Sequence, residues 1–164
     1  MLSRILKVIK ALNSNEAPWQ ISLGLIFGAI LGLTPLYSLH NLVVLFLALL
    51  INLNISMMVV SCVGFSVIAY ALDPLFHQVG LALLTSPELK AFWIQFFSCP
   101  VFLLSNLNNT LVMGSLVISL AAAVPLFFLF NILVVKYRDV YNTFIGKFPL
   151  LRFLKVLNAY EKIS

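Results

Sequence analysis

The chain has 164 residues, of which 62% are hydrophobic and 9% are charged, whereas soluble domains carry about 25% charged residues. Residues 17–72 and 91–135 contain no Asp, Glu, Lys or Arg. As helices these two blocks would measure about 84 and 68 Å, against about 30 Å for the hydrocarbon core of a bilayer. This composition excludes an ordinary soluble domain and predicts an all-α polytopic membrane protein.

The charged residues lie outside the two apolar blocks. Most bases flank the blocks, before residue 17 and after residue 135, and only Lys90 lies between them. Because short flanks rich in Lys and Arg stay cytoplasmic, the sequence predicts a multi-pass membrane protein. Both termini are expected to be cytoplasmic, with an outer loop at 73–90. The net charge of +5 is interpreted as attraction to anionic lipid, so no nucleic-acid partner is expected.

The first element in chain order is a basic amphipathic helix at residues 1–14. Its apolar side chains share one face, and Arg4, Lys7 and Lys10 point away from it. Such a helix lies in the headgroup plane. Residues 139–164 form a similar basic amphipathic cytoplasmic tail. The sequence thus predicts a membrane domain at residues 15–138 between two interfacial ends.

Proline and asparagine breaks divide the membrane domain into short helices. Pro35 and the turn at 52–54 predict helices at 19–33, 36–51 and 55–72. The turn at 105–110 and Pro125 predict helices at 91–104, 110–124 and 126–137. Helices of about 15 residues reach only about 22 Å, which is too short to cross. We therefore expect two Pro-broken helical hairpins, at least one of them either a re-entrant hairpin or a broken helix, plus at least two full spans.

Shifting the chain by 90 residues (114 minus 24) aligns two segments and predicts an internal repeat, with halves at about 15–72 and 104–142. The matched pairs that best support a repeat are Gly24 with Gly114, Pro35 with Pro125 and Asn41 with Asn131. Internal repeats are common in transport folds, where the substrate site lies between the copies. With both termini inside, the copies would be parallel. A chance match is the alternative.

Small residues at helical spacing are the predicted helix-packing residues, because they let two helix backbones approach closely. They are Gly24, Gly28 and Gly32 in the first half and Gly114, Ser115 and Ser119 in the second. The alternative interpretation is that they expose backbone to a substrate path.

The candidate polar sites lie at the two predicted helix breaks: Pro35, His40, Asn41, Pro125 and Asn131. A proline frees backbone carbonyls, and an intramembrane asparagine usually bonds a broken backbone or a neighbouring helix. Two equivalent sites could also form a polar constriction or a pocket of headgroup size. Because Phe130 stands at the position equivalent to His40, we expect no proton relay.

The sequence shows no pattern typical of an energised carrier or an enzyme. Ion-coupled carriers generally keep a carboxylate or a base inside the membrane, and neither apolar block contains Asp, Glu, Lys or Arg. A nucleotide-binding loop, a zincin motif and a metal-spaced His/Cys cluster are also missing from the sequence. We therefore expect a non-enzymatic protein with no catalytic residue, no cofactor and no metal.

The chain resembles a known family over about residues 17–138. The residues that carry the resemblance are Gly28, Gly32 and Pro35 in the pattern G-x3-G-x2-P, then His40-Asn41, the turn at 52–56, Asp73-Pro74, Gly80 and the segment that starts at Met113. They are similar to a family of small bacterial inner-membrane proteins grouped under a domain of unknown function. Asp73 departs from the family pattern, which has Asn there. The resemblance implies a branch from bacteria with outer membranes, paired with a much larger envelope protein.

Two functional hypotheses follow. In the first, the chain is the non-enzymatic membrane subunit of a two-protein envelope system that handles lipid, with the larger envelope protein as its partner. In the second, it is a stand-alone passive channel or lipid scramblase built from the paired hairpins. Membrane lipids are expected partners in both, and a homo-oligomer is left open.

Overall fold

The computed structural model describes residues 16–147, and within these residues the chain is all-helical. The amphipathic helix predicted at 1–14 lies outside the described residues, as do residues 148–164 of the tail predicted at 139–164. Residues 139–147 of that tail continue the last helix. The α-helices are α1 (Pro18–Leu33), α2 (Leu39–Leu50), α3 (Ile55–Thr85), α4 (Lys90–Phe97), α5 (Pro100–Leu103) and α6 (Thr110–Lys147), with a 3-10 turn at Pro87–Leu89.

Helices α1 and α2 form a hairpin whose two ends meet. Helix α1 begins at Pro18, since proline suits the first helical position. Asn54 caps α3, because its Oδ1 accepts a hydrogen bond from the Met57 amide at 2.8 Å. The backbone N–H of Asn54 in turn donates to the backbone carbonyl of Gln20 at 3.1 Å. The start of α1 and the end of the hairpin therefore lie side by side.

Helices α1, α3 and α6 form the core, while α2 contacts mainly α1. Near the start of α3, Met57 packs against Ile21 of α1 and Val134 of α6. At the far end of α3, Gly80 lies against Thr110 in the first turn of α6. Helix α6 therefore runs antiparallel to α3 along most of its length.

Three glycines of α1 set its distance from α3. A Cβ placed on Gly24, Gly28 or Gly32 would overlap a carbonyl oxygen of α3, namely that of Asn54, Met58 and Cys62 respectively. Backbones that approach this closely gain the dispersion contacts that hold helices together in lipid. The glycine stripe thus fixes α1 along the first three turns of α3.

Two described helices are long and apolar enough to cross a membrane. They are Ile55–Thr85, with mean hydropathy 2.1, and Thr110–Val140 within α6, with mean hydropathy 2.5. At about 1.5 Å per residue, each 31-residue segment measures about 46 Å. Helices α1 and α2 have 16 and 12 residues and reach only about 24 and 18 Å.

The predicted break at Pro125 is wrong. Pro125 lies inside α6, so the helices predicted at 110–124 and 126–137 are one helix and the second Pro-broken hairpin does not form. A proline inside a helix loses one backbone hydrogen bond. The residues around Pro125 are Ala, Val, Leu and Phe, which offer no side chain to bond a broken backbone. Continuing the helix therefore leaves fewer polar groups unpaired.

Residues 73–85 of the predicted outer loop are helical, because α3 continues through Asp73 and Pro74 to Thr85. Packing against α6 explains the continuation, since Phe76 in this segment is only 1% exposed. The helix predicted at 91–104 is divided into α4 and α5, with Pro100 at the first position of α5. The breaks after Leu33, at 52–54 and before Thr110 coincide with the predicted ones.

Candidate functional site

The turn between α1 and α2 gathers polar side chains within an apolar part of the chain. We call Thr34, Pro35, Ser38, His40 and Asn41 the polar turn. It lies far from the ends of the hairpin, because Gly32, just before it, contacts Ser66 of α3. Ser66 is twelve residues beyond Asn54 (66 minus 54), which corresponds to about 18 Å along α3.

Asn41 supplies partners for the backbone that the turn interrupts. Its Nδ2 donates to the Pro35 carbonyl at 2.9 Å, and its Oδ1 lies 2.8 Å from the Thr34 hydroxyl. That hydroxyl also lies 2.7 Å from the Ile30 carbonyl, so its single proton serves two acceptors. Asn41 and Thr34 are only 4% and 3% exposed. Because unpaired buried polar groups are costly, these bonds make the break stable.

Ser38 and His40 complete the polar turn. The Ser38 hydroxyl donates to the Pro35 carbonyl at 2.7 Å, and His40 Nε2 lies 3.0 Å from Ser38 Oγ. Since the Ser38 proton points to Pro35, the neutral imidazole donates through Nε2–H. His40 Nδ1 is then an acceptor, and it is buried without a hydrogen-bond partner. The arrangement selects one tautomer of His40.

A groove of about 480 Å³ runs along the polar turn and the first half of α2. Apart from Ser38 and Asn41, its lining is apolar or aromatic: Leu31, Leu36, Tyr37, Leu39, Leu42 and Leu45. The polar groups of Ser38 and Asn41 are engaged in the bonds described above. A groove with this lining suits an acyl chain better than a polar solute.

The equivalent residues of the second predicted half do not join the polar turn. Pro125 lies exposed inside α6. Asn131 lies one turn before Val134, which packs near the start of α1 and α3, and its Oδ1 is buried without a hydrogen-bond partner. The structure therefore brings together Pro35, His40 and Asn41, and it leaves Pro125 and Asn131 elsewhere.

The candidate helix-packing residues lie at helix contacts. Gly114 of α6 meets Phe76 and Gly80 of α3 through backbone atoms. Ser115 and Ser119 are 1% and 2% exposed, and their hydroxyls donate to carbonyls within α6. Since the glycines of α1 face the α3 backbone, they pack helices together and do not line an open path.

Sequence reasoning assigned no site or packing role to Thr34, Ser38 or Gly80. The first two had a signal, because Ser and Thr often bond a nearby backbone group and both lie within three residues of Pro35. Gly80 could be recognised only once Gly114 was known to lie opposite. Among residues 16–147, no three His, Cys, Asp or Glu side chains lie close enough together to hold a metal ion.

A family model matches most of the chain. The family described as "Uncharacterized protein conserved in bacteria (DUF2062)" matches residues 4–141 of the chain. The family resemblance read from the sequence is thereby confirmed. No curated protein and no solved structure matches the chain.

Proposed function

We propose that this chain, which belongs to the DUF2062 family of uncharacterised bacterial proteins, is an integral inner-membrane protein whose helices α3 and α6 cross the membrane. The observation that carries this proposal is the exposure of apolar side chains on both helices. In the most apolar 18-residue stretch of each, only 17% of α3 and 11% of α6 is buried. A soluble protein does not expose apolar surface on this scale. Two crossings also place both termini on one side, the side that the flanking bases favour.

The α1–α2 hairpin is then a re-entrant element that enters from the cytoplasmic side. Its ends meet at Gln20 and Asn54, and its turn lies about 18 Å along α3, within a hydrocarbon core of about 30 Å. Irregular backbone at that depth must have its polar groups satisfied. The side chains of Asn41 and Ser38 satisfy the Pro35 carbonyl in this way.

The role that fits this geometry is that of a non-enzymatic membrane subunit in a two-protein envelope system that handles lipid. The polar side chains of the turn bond one another, whereas the groove beside them is apolar. Most of α2 is uncovered, since only Asn41 and Ala48 are buried in it. A larger envelope partner or lipid can therefore reach α2 directly.

Affinity purification of the tagged protein from its own membranes tests this role. We expect a larger envelope protein in stoichiometric amount, lost in Leu42→Trp but kept in Val67→Trp. Leu42 is 64% exposed beside the groove, and Val67 is 70% exposed on α3. Lipid can therefore accommodate the larger side chain in both variants, but only Leu42→Trp obstructs the surface of α2 that the partner would bind. A preparation that contains no second protein contradicts the proposal. So does a deletion of this protein whose phenotype differs from that of deleting the partner.

The second candidate is a lipid scramblase, and the observation that favours it is the open groove beside polar groups at half depth. The chain alone would then move fluorescent phospholipid between leaflets of liposomes. The pair Asn41→Leu with Asn131→Leu should impair this movement. Because the structure separates the two asparagines, Asn131→Leu alone should leave it unchanged. Well-folded protein without lipid movement would remove this candidate.

A further inference from the structure

Between α3 and α6 the chain presents five aromatic side chains in one continuous cluster, which we call the aromatic ridge: Phe92, Trp93, Phe96, Phe97 and Phe102. Within α4, Phe92 stacks on Phe96 and Trp93 on Phe97, with ring centroids 5.6 and 5.7 Å apart. Phe102 of α5 stacks on Phe96 at 4.1 Å. The rings hold the two short helices together.

The aromatic ridge has little protein to cover it. Phe92 is 53% exposed, and the neighbouring Ile94 and Leu104 are 67% and 76% exposed. Neither α4 nor α5 has a buried residue. With 8 and 4 residues, these helices are also far too short to cross a membrane. The segment must therefore lie on a surface that accepts apolar side chains.

The contact with α3 determines the depth of the aromatic ridge in the bilayer. Trp93 Nε1 donates to the Leu83 carbonyl at 2.8 Å, which places the indole beside the last turn of α3. Helix α3 measures about 46 Å. This length is close to the thickness of a bilayer with both headgroup layers, about 40–45 Å. Because the start of α3 lies at the cytoplasmic interface, its last turn lies in the outer headgroup layer.

The residues around Trp93 fit that layer. Exposed Glu88 and Lys90 immediately precede the aromatic ridge, and charged groups prefer the aqueous side of the headgroups. Tryptophan is enriched at membrane interfaces because its ring is apolar and its N–H is polar. The other tryptophan of the chain, Trp19, precedes Gln20, which bonds Asn54 at the opposite end. The two tryptophans thus mark the two ends of the bundle.

We propose that the aromatic ridge is a lipid-binding surface embedded at the headgroup–acyl boundary of the outer leaflet. It would hold the outer end of the bundle in the bilayer without crossing it, as interfacial helices do. The ligand of this surface is membrane phospholipid. The inference depends on the proposed membrane insertion, so its test must separate the two.

Tryptophan quenching in vesicles makes that separation, because the chain has only two tryptophans. Trp19→Phe leaves Trp93 as the sole reporter, and Trp93→Phe leaves Trp19 as the control. Each is reconstituted in phosphatidylcholine–phosphatidylglycerol vesicles that carry bromine either near the headgroup or deep in the chains. We expect Trp93 emission to shift to shorter wavelength than in water. We also expect stronger quenching of Trp93 by shallow bromine than by deep bromine.

Three results overturn the inference. If bromine quenches Trp19 but aqueous acrylamide alone quenches Trp93, the aromatic ridge lies outside the bilayer and the membrane insertion stands. If Trp93 is shielded from both quenchers while Trp19 responds to bromine, protein covers the ridge, either a second copy or another segment. If bromine quenches neither tryptophan, membrane insertion fails and the inference fails with it.

Discussion

Gly28 offers the sharpest test of the packing between α1 and α3. In Gly28→Ala the new Cβ would overlap the Met58 carbonyl oxygen and lie 2.7 Å from Ser61 Cβ and 2.9 Å from the Cys62 nitrogen. Ordinary Cβ contacts begin at 3.4 Å, so the separation at Ser61 alone must grow by about 0.7 Å (3.4 minus 2.7). Two of these three atoms belong to the backbone and the third is a Cβ, so no rotamer change can move any of them.

The matched control is Gly64→Ala, since nothing lies within 4 Å of a Cβ at Gly64. Both substitutions gain the higher helix propensity of alanine, about 1 kcal/mol, so this gain cancels between them. The overlap at Gly28 costs about 1–3 kcal/mol, as overpacking does. We therefore expect the free energy of unfolding of Gly28→Ala to be lower than that of Gly64→Ala by about 1–3 kcal/mol.

Unfolding of the purified protein in micelles, titrated with sodium dodecyl sulfate and followed by circular dichroism, measures this difference. Equal stability of the two variants would refute the close approach of α1 to α3. A Gly28→Ala variant that is more stable than Gly64→Ala would refute it more strongly, because the helix would then have free space at residue 28.

Four further substitutions, of which Asn131→Leu is a control, are compared by the same unfolding assay. Asn41→Leu removes the bonds to Pro35 and Thr34 and should lower the free energy of unfolding by about 1–3 kcal/mol, whereas Asn131→Leu removes an unpaired oxygen and should not lower it. Pro125→Ala restores a backbone hydrogen bond inside α6 and should raise stability by about 1–3 kcal/mol; an unchanged value would argue against a continuous helix. Ser61→Ala removes a 2.6 Å bond to the Leu25 carbonyl of α1 and should cost about 0.6 kcal/mol, the average for interhelical bonds in membranes.

Pro35 and Pro125 show how far the sequence could predict the fold. They have the same Leu after them and the same Asn six residues later. Pro35, however, also has Thr34 before it and Ser38 after it, whose hydroxyls bond the Ile30 and Pro35 carbonyls. Pro125 has Val124 and Phe128 at those positions. A helix break needs side chains that satisfy the freed backbone, and proline spacing alone does not reveal them.

The end of α3 illustrates what the sequence could not show. Asp73-Pro74 reads as the start of a loop, yet the helix continues because Phe76 and Gly80 pack against α6. These contacts join residues thirty or more positions apart, so no local sequence pattern indicates them. The glycine stripe of α1 was visible as a repeat of small residues, although its partner helix was not.

The central claim is that the α1–α2 hairpin enters the bilayer and turns back while α3 and α6 cross it. The most direct measurement is labelling of single cysteines by a membrane-impermeant thiol reagent in intact spheroplasts, on a background with Cys62→Ala and Cys99→Ala. The informative position is Tyr37→Cys at the tip of the hairpin, where Tyr37 is 99% exposed. Glu88→Cys serves as the outer control and Lys136→Cys as the inner control.

We predict that Glu88→Cys is labelled in intact spheroplasts and that Lys136→Cys is labelled only after permeabilisation. Tyr37→Cys should resist the reagent in both conditions, because the tip of the hairpin lies about 18 Å from the cytoplasmic interface, inside the hydrocarbon core. Labelling of Tyr37→Cys from outside as fast as Glu88→Cys would mean that the hairpin crosses completely, and this would contradict the account.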